Sequence, residues 1–131
     1  MPRLRRVLGI VVGALLILSA VAHSLLGGKG MREALVAAQV PADLLRGAMI
    51  GWYFGGVAML AFGVVVLHTF SGRRGAAGVS LLPARVVAAT YLAFGAAALL
   101  LTDFDPFFLV FVVPGLLLAL AASGRGATVP R

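Results

Sequence analysis

The spacing of its apolar runs is what most constrains this chain. Four stretches, at about 7–26, 47–70, 81–101 and 107–122, are almost free of charge, and short polar segments separate them. A helix needs about 20 predominantly apolar residues to cross the hydrocarbon of a bilayer, within a range of about 17–25. The first three runs meet that length. The fourth is at the short end, with Pro106 placed to serve as its first-turn residue. Helices satisfy every backbone polar group within the segment, as hydrocarbon demands. The expected fold is therefore all-α: a polytopic membrane protein, a four-helix transmembrane bundle forming one domain over residues 1–131.

Composition agrees. Hydrophobic residues make up 62% of the chain and charged ones 11%, whereas a soluble domain is about a quarter charged. Too few polar side chains exist to coat a water-soluble globule, so membrane lipids are the expected surroundings. The net charge of +7 does not point to nucleic acid, because the basic residues are dispersed between apolar runs and form no basic face with interleaved aromatics. The chain has no cysteine, which excludes disulfides, thiolate metal sites and iron–sulfur clusters. It has no asparagine either, so no N-glycosylation acceptor exists.

Charge sets the expected orientation. With the N-terminus in the cytoplasm, the inner side holds Arg3, Arg5, Arg6, Arg73, Arg74, Arg85, Arg125 and Arg131, and the outer side holds Lys29, Arg32 and Arg46. That asymmetry is the positive-inside bias. All four acids, Glu33, Asp43, Asp103 and Asp105, then fall outside. Both termini are expected inside, in the inner (plasma) membrane of a bacterium. The competing reading of the first run is a cleaved signal peptide, with Arg3, Arg5 and Arg6 as its n-region and cleavage after Ala22. The run stays apolar through Leu25 and Leu26, so an uncleaved first span is expected.

The connections follow. Residues 71–80 read as a flexible inner loop whose arginines meet lipid headgroups, and 123–131 as a disordered cytoplasmic tail. Residues 101–108 read as a tight outer turn. In the longer outer loop, Met31, Ala34, Leu35 and Ala38 share one helical face, which predicts a short amphipathic segment at 31–40 lying on the outer surface. Pro41 then starts the second span.

Lipid tails are as apolar as leucine, so helices associate through close packing of small residues. Gly47, Gly51 and Gly55 form a four-residue repeat in the second run, and Gly9 and Gly13 recur in the first. These glycines are expected to pack the helices of one protomer. A homo-oligomer built on the second-run stripe is the alternative. Pro114, inside the fourth run, is expected to make a static kink.

Chemistry-bearing residues are few. His23 and His68 suggest a shared haem. However, the helical rise separates them by roughly 20 Å along the bundle, so no cofactor is expected. His23, Trp52, Tyr53, Asp103 and Asp105 collect at the outer leaflet, where an imidazole–carboxylate layer can bind a cation or relay protons. The plainer reading is an aromatic belt with helix-capping aspartates. Ser19 and His23 share a face at i, i+4, yet nothing resembles a nucleophile elbow. No catalytic residue and no metal ligand set is assigned. Tyr91, near the middle of the third run, needs a partner for its hydroxyl or lines a hydrophobic ligand cavity. No acidic or basic residue lies in the middle third of any run, which disfavours proton antiport through the membrane core.

In size and plan the chain resembles small multidrug-resistance transporters, small fluoride channels and DoxX-like proteins. It lacks the membrane-embedded glutamate of the first and the pore asparagine of the second. Three functional classes remain. The first is a non-enzymatic protein that binds a lipid or hydrophobic molecule, or is an accessory subunit of a larger membrane complex. The second is a small oligomeric transporter or channel. The third is a metal-binding or catalytic protein using the outer His/Asp layer. A reporter fused after Asp103 is expected to report the outer side, and one fused after Arg73 the cytoplasm; the reverse pattern would overturn the orientation.

Overall fold

The computed structural model describes residues 3–72 and 80–123. The expected inner loop with Arg73 and Arg74, and the tail with Arg125 and Arg131, lie largely or wholly outside the described residues. Helix α1 (Arg3–Ala22) runs through a single π-helical turn (His23–Gly27) into α2 (Gly28–Ala37). Helix α3 (Ala42–Ser71) returns, α4 (Leu82–Leu101) runs out again, and α5 (Leu109–Ala121) follows a 3-10 turn at Pro106–Phe108. All regular structure among the described residues is helical. Three helices are long and apolar enough to cross a membrane: Arg3–Ala37, Ala42–Ser71 and Leu82–Leu101. The apolar helix Pro106–Ala121 is shorter.

One boundary differs from the sequence expectation. Gly27, Gly28 and Gly30 look like a break between the first span and a separate surface helix. In the structure the helix continues through them, 35 residues from Arg3 to Ala37, or about 52 Å at about 1.5 Å per residue. Gly27 and Gly28 have ordinary helical φ values of −64° and −61°. Space explains them: a Cβ on Gly27 would lie 2.8 Å from the Trp52 ring, and one on Gly28 3.3 Å from Tyr53. The chain turns only at Gln39, whose φ of 53° ends α2 while the Val40 amide donates back to the Leu35 carbonyl. Pro41 then sits immediately before α3.

Large apolar side chains face outward along every helix; Leu26, Phe54 and Leu101 are 76%, 73% and 85% exposed. The interior is made of smaller groups. Gly9, Val12, Gly13, Leu16 and Ala20 form the buried stripe of α1, and Ala84, Ala88, Tyr91, Gly95 and Ala98 that of α4, at the helical i, i+3/i+4 spacing. Helix α1 packs along α3 and α4 along α5, with backbones close enough to need glycine. A Cβ on Gly63 would lie 3.0 Å from the Ile17 amide nitrogen and 3.1 Å from the Gly13 carbonyl oxygen. One on Gly95 would lie 3.1 Å from the Val112 nitrogen, and one on Gly115 3.2 Å from the Leu92 nitrogen.

The predicted packing glycines divide. Gly9 and Gly13 hold the contact with α3, against Phe70 and Leu67. Gly47 and Gly51 have nothing within 4 Å, and Gly55 meets only the His23 ring. The face of α3 that packs inward carries Gly56, Gly63, Val66 and Phe70 instead. A four-residue glycine repeat cannot reveal this, because the inward face is set by which residues the partner helix can accommodate.

Each helix pair is fastened at the same end by an arginine. Arg6 Nε donates to the Phe70 carbonyl at 3.1 Å and its Nη2 to the Ser71 carbonyl at 3.3 Å. Arg85 Nε donates to the Ala122 carbonyl at 3.0 Å. The last carbonyls of a helix have no intrahelical donor, and a cation there also meets the negative end of the helix dipole. Both arginines therefore close one helix onto another, α1 onto α3 and α4 onto α5.

Gly63→Ala and Gly51→Ala should shift stability in different ways. The first drives a methyl into backbone and should destabilise by about 1–3 kcal/mol. The second meets open space and should be neutral or stabilising within about 1 kcal/mol. Thermal unfolding of both variants in the same detergent checks this.

Candidate functional site

The packed core and the open space of the bundle lie at opposite ends. Val12, Val66, Phe70, Ala84 and Leu118 close the end that carries Arg6 and Arg85. Toward the Asp103 end, a cavity of about 560 Å³ lies between the helices. Helix α1 contributes Leu16, Ser19 and Ala22, and the π-turn contributes His23 and Gly27. Trp52 and Met59 come from α3, Tyr91 and Phe94 from α4, and Phe107, Phe108, Val110 and Phe111 from the last helical segment. The lining is aromatic and apolar, with few polar groups, the usual character of a small-molecule site.

His23 and Trp52 form the rim as a reciprocal pair. Trp52 Nε1 donates to the His23 carbonyl at 2.9 Å, and His23 Nε2 is 3.0 Å from the Trp52 carbonyl. Their rings stack with centroids 4.3 Å apart and planes within 7°. The π-turn makes the arrangement possible, because it shifts the backbone register by one residue and sets the His23 carbonyl against the Gly28 amide five residues on. Each hydrogen bond contributes about 0.5–1.5 kcal/mol and the stacked rings a comparable amount. A carbonyl oxygen only accepts, so His23 Nε2 carries the proton, and in the neutral ring Nδ1 presents a lone pair. Gly56 lets the two helices meet here: a Cβ on it would collide with the Ser24 hydroxyl.

Not all the residues predicted for an outer layer converge. His23 and Trp52 are brought together. Tyr53 lies beside them over Gly28 and is 48% exposed. Asp105 is used in its own turn, where its Oδ1 accepts from the Phe107 amide at 2.9 Å. Asp103 is exposed in the left-handed region, with φ 51°, and neither aspartate is hydrogen-bonded or ion-paired to His23. Among the described residues no three His, Cys, Asp or Glu side chains are grouped to hold a metal ion. His68 is exposed on α3, near the end fastened by Arg6.

Tyr91 forms part of the cavity wall. Its ring is set between Phe62 and Phe111, with centroids at 6.3 and 5.9 Å. The residue is 6% exposed, and its hydroxyl is buried without a hydrogen-bond partner. Threonines elsewhere return their hydroxyls to the helix: Thr69 bonds the Val65 carbonyl, Thr90 that of Val86, and Thr102 that of Ala98. Tyrosine is too long to do so.

Residues that sequence reasoning did not select are Phe94, Phe107, Phe108, Phe111 and Met59. Their signal is nonetheless present in the residue order. Tyr91 and Phe94 lie three apart on α4, and Phe107, Phe108 and Phe111 cluster at the start of the last helix, so two aromatic faces occur at the same end of an antiparallel pair. Comparison with protein-family models, curated proteins and solved structures finds no match to this chain.

Tyr91→Phe deletes a buried hydroxyl that has no partner. An unsatisfied buried hydroxyl costs about 1–3 kcal/mol, so the variant should be more stable than the parent by about 1 kcal/mol. A lower melting temperature for the variant in the same detergent would show instead that the hydroxyl is bonded in solution.

Proposed function

We propose that this chain is a non-enzymatic protein of a bacterial inner membrane that binds a hydrophobic molecule between its helices at the Asp103 end. In this reading it spans the bilayer four times with both termini in the cytoplasm. The short helix Pro106–Ala121 crosses with the Pro106–Phe108 turn at the outer interface, and the cavity lies in the outer half of the membrane.

The cavity itself carries the proposal. Its volume of about 560 Å³ lies within the range of small-molecule sites, about 300–1,000 Å³. The cavity opens partly to its surroundings, so a molecule can enter it from outside. Water is a poor filler, because each buried molecule needs two to four polar partners and the lining offers few. An apolar occupant is what the site favours. Catalysis finds less support, since neither aspartate is joined to His23 and, among the described residues, no nucleophile–base pair is hydrogen-bonded.

Pyrene titration tests the reading. Trp52 is the sole tryptophan and lies in the cavity wall, so energy transfer from Trp52 to a bound pyrene reports occupancy. Transfer should saturate at about one pyrene per chain. It should be lost in Ala22→Phe, which places a ring in the cavity. Transfer that rises linearly with probe and is the same in Ala22→Phe is mere partition into detergent, and would count against the proposal.

A further inference from the structure

The few polar groups of the cavity are not equivalent, and their hydrogen-bonding states restrict what they can hold. Ser19 and His23 both line it and lie one helical turn apart on the same face, with Cβ atoms about 5–6 Å from each other. Among the described residues the Ser19 hydroxyl has no hydrogen bond. It differs in this from Thr69, Thr90 and Thr102, which all bond back to their own helix. His23 has its Nε2–H committed to the Trp52 carbonyl, so the remaining Nδ1 is an acceptor in the neutral ring.

A donor and, in the neutral imidazole, an acceptor therefore belong to two cavity-lining residues on one helical face. Of the common oxygen functions, a ketone or an ether can accept from Ser19 but gives nothing to Nδ1. A hydroxyl does both, with bonds of about 2.8 Å to each. The other walls present the rings of Tyr91, Phe94, Phe107 and Phe111, which suit a flat ring system better than a flexible chain. We infer that the cavity selects ring-bearing hydrophobic molecules with a hydroxyl group, the hydroxyl donating to His23 Nδ1 and accepting from Ser19 Oγ–H. The lock between His23 and Trp52 is then a positioning device. It holds the imidazole in the one tautomer that asks its ligand for a donor.

This inference rests on the hydrophobic-cavity reading, and three probes separate the two. Pyrene, 1-hydroxypyrene and 1-methoxypyrene share one ring system and differ in hydrogen-bonding capacity. Each is titrated into the full chain in mild detergent, with energy transfer from Trp52 as the signal and Ala22→Phe as the partition control. The expected result is that 1-hydroxypyrene binds about tenfold more tightly than either of the others, as two net hydrogen bonds allow. In Ser19→Ala the ratio of the 1-hydroxypyrene to the pyrene affinity should fall to about threefold. If the three probes saturate with equal affinity, the cavity reading stands and the hydroxyl selection is overturned. If 1-methoxypyrene matches 1-hydroxypyrene and both exceed pyrene, Ser19 alone anchors the ligand and the role given to His23 is wrong. If none saturates, both readings fall.

Discussion

Backbone-to-backbone approach at glycine is the interaction on which the rest of this structure depends. Apolar side chains cover the outside, so burying them against each other offers little beyond what hydrocarbon provides. What distinguishes the interior is contact too close for a side chain, at Gly13 and Gly63 in one helix pair and at Gly95 and Gly115 in the other. Each pair is then fastened at its end by an arginine that takes the last carbonyls of the partner helix, Arg6 for α3 and Arg85 for the end of α5. Both arginines are the fourth residue of their helix. The two pairs thus share one construction, although their sequences differ.

That construction leaves the opposite end to be held by other means. There the contact between α1 and α3 passes to the π-turn and the His23–Trp52 pair. Aromatic side chains of α4 and the last helix line the space between the pairs at that end. The same pair that joins the helices also sets the protonation pattern of the one imidazole in the cavity wall. In the proposed reading, structural support and ligand preference rest on the same two hydrogen bonds, so His23 and Trp52 cannot be varied for one without disturbing the other. Ser19, which supports nothing else, can.

Much of the scaffold was legible from residue order. The apolar runs mark where the helices lie, and Pro41 and the Asp and Pro residues of the turn at 101–108 mark where two of them begin and end. The inward stripe of α1 could be read from Gly9 and Gly13. On α3, Gly47, Gly51 and Gly55 form the visible repeat, whereas Gly56 and Gly63 make the close contact within the chain. A helix that is apolar all round has no polar face to say which side turns inward. The run Gly27–Gly30 misled for a related reason. Glycine marks a turn in a solvent-exposed chain, but here it makes room for the rings of Trp52 and Tyr53 within a continuing helix.

By itself, the order of residues determined the all-helical class, the number and length of the apolar segments, the exclusion of thiolate chemistry, and the presence of His23 and Tyr91 as unusual groups in an apolar chain. Those properties follow from composition and from local backbone preference. Tertiary structure alone decided that His23 meets Trp52 rather than an aspartate, that Asp105 serves its own turn, and that six aromatic rings, Trp52 and Tyr91 among them, surround one space. Each is a matter of how the helices are rotated about their axes. In a bundle whose outer surface is as apolar as its core, that rotation is set by steric fit at a few glycines and by two carbonyl-seeking side chains, and neither leaves a period in the sequence.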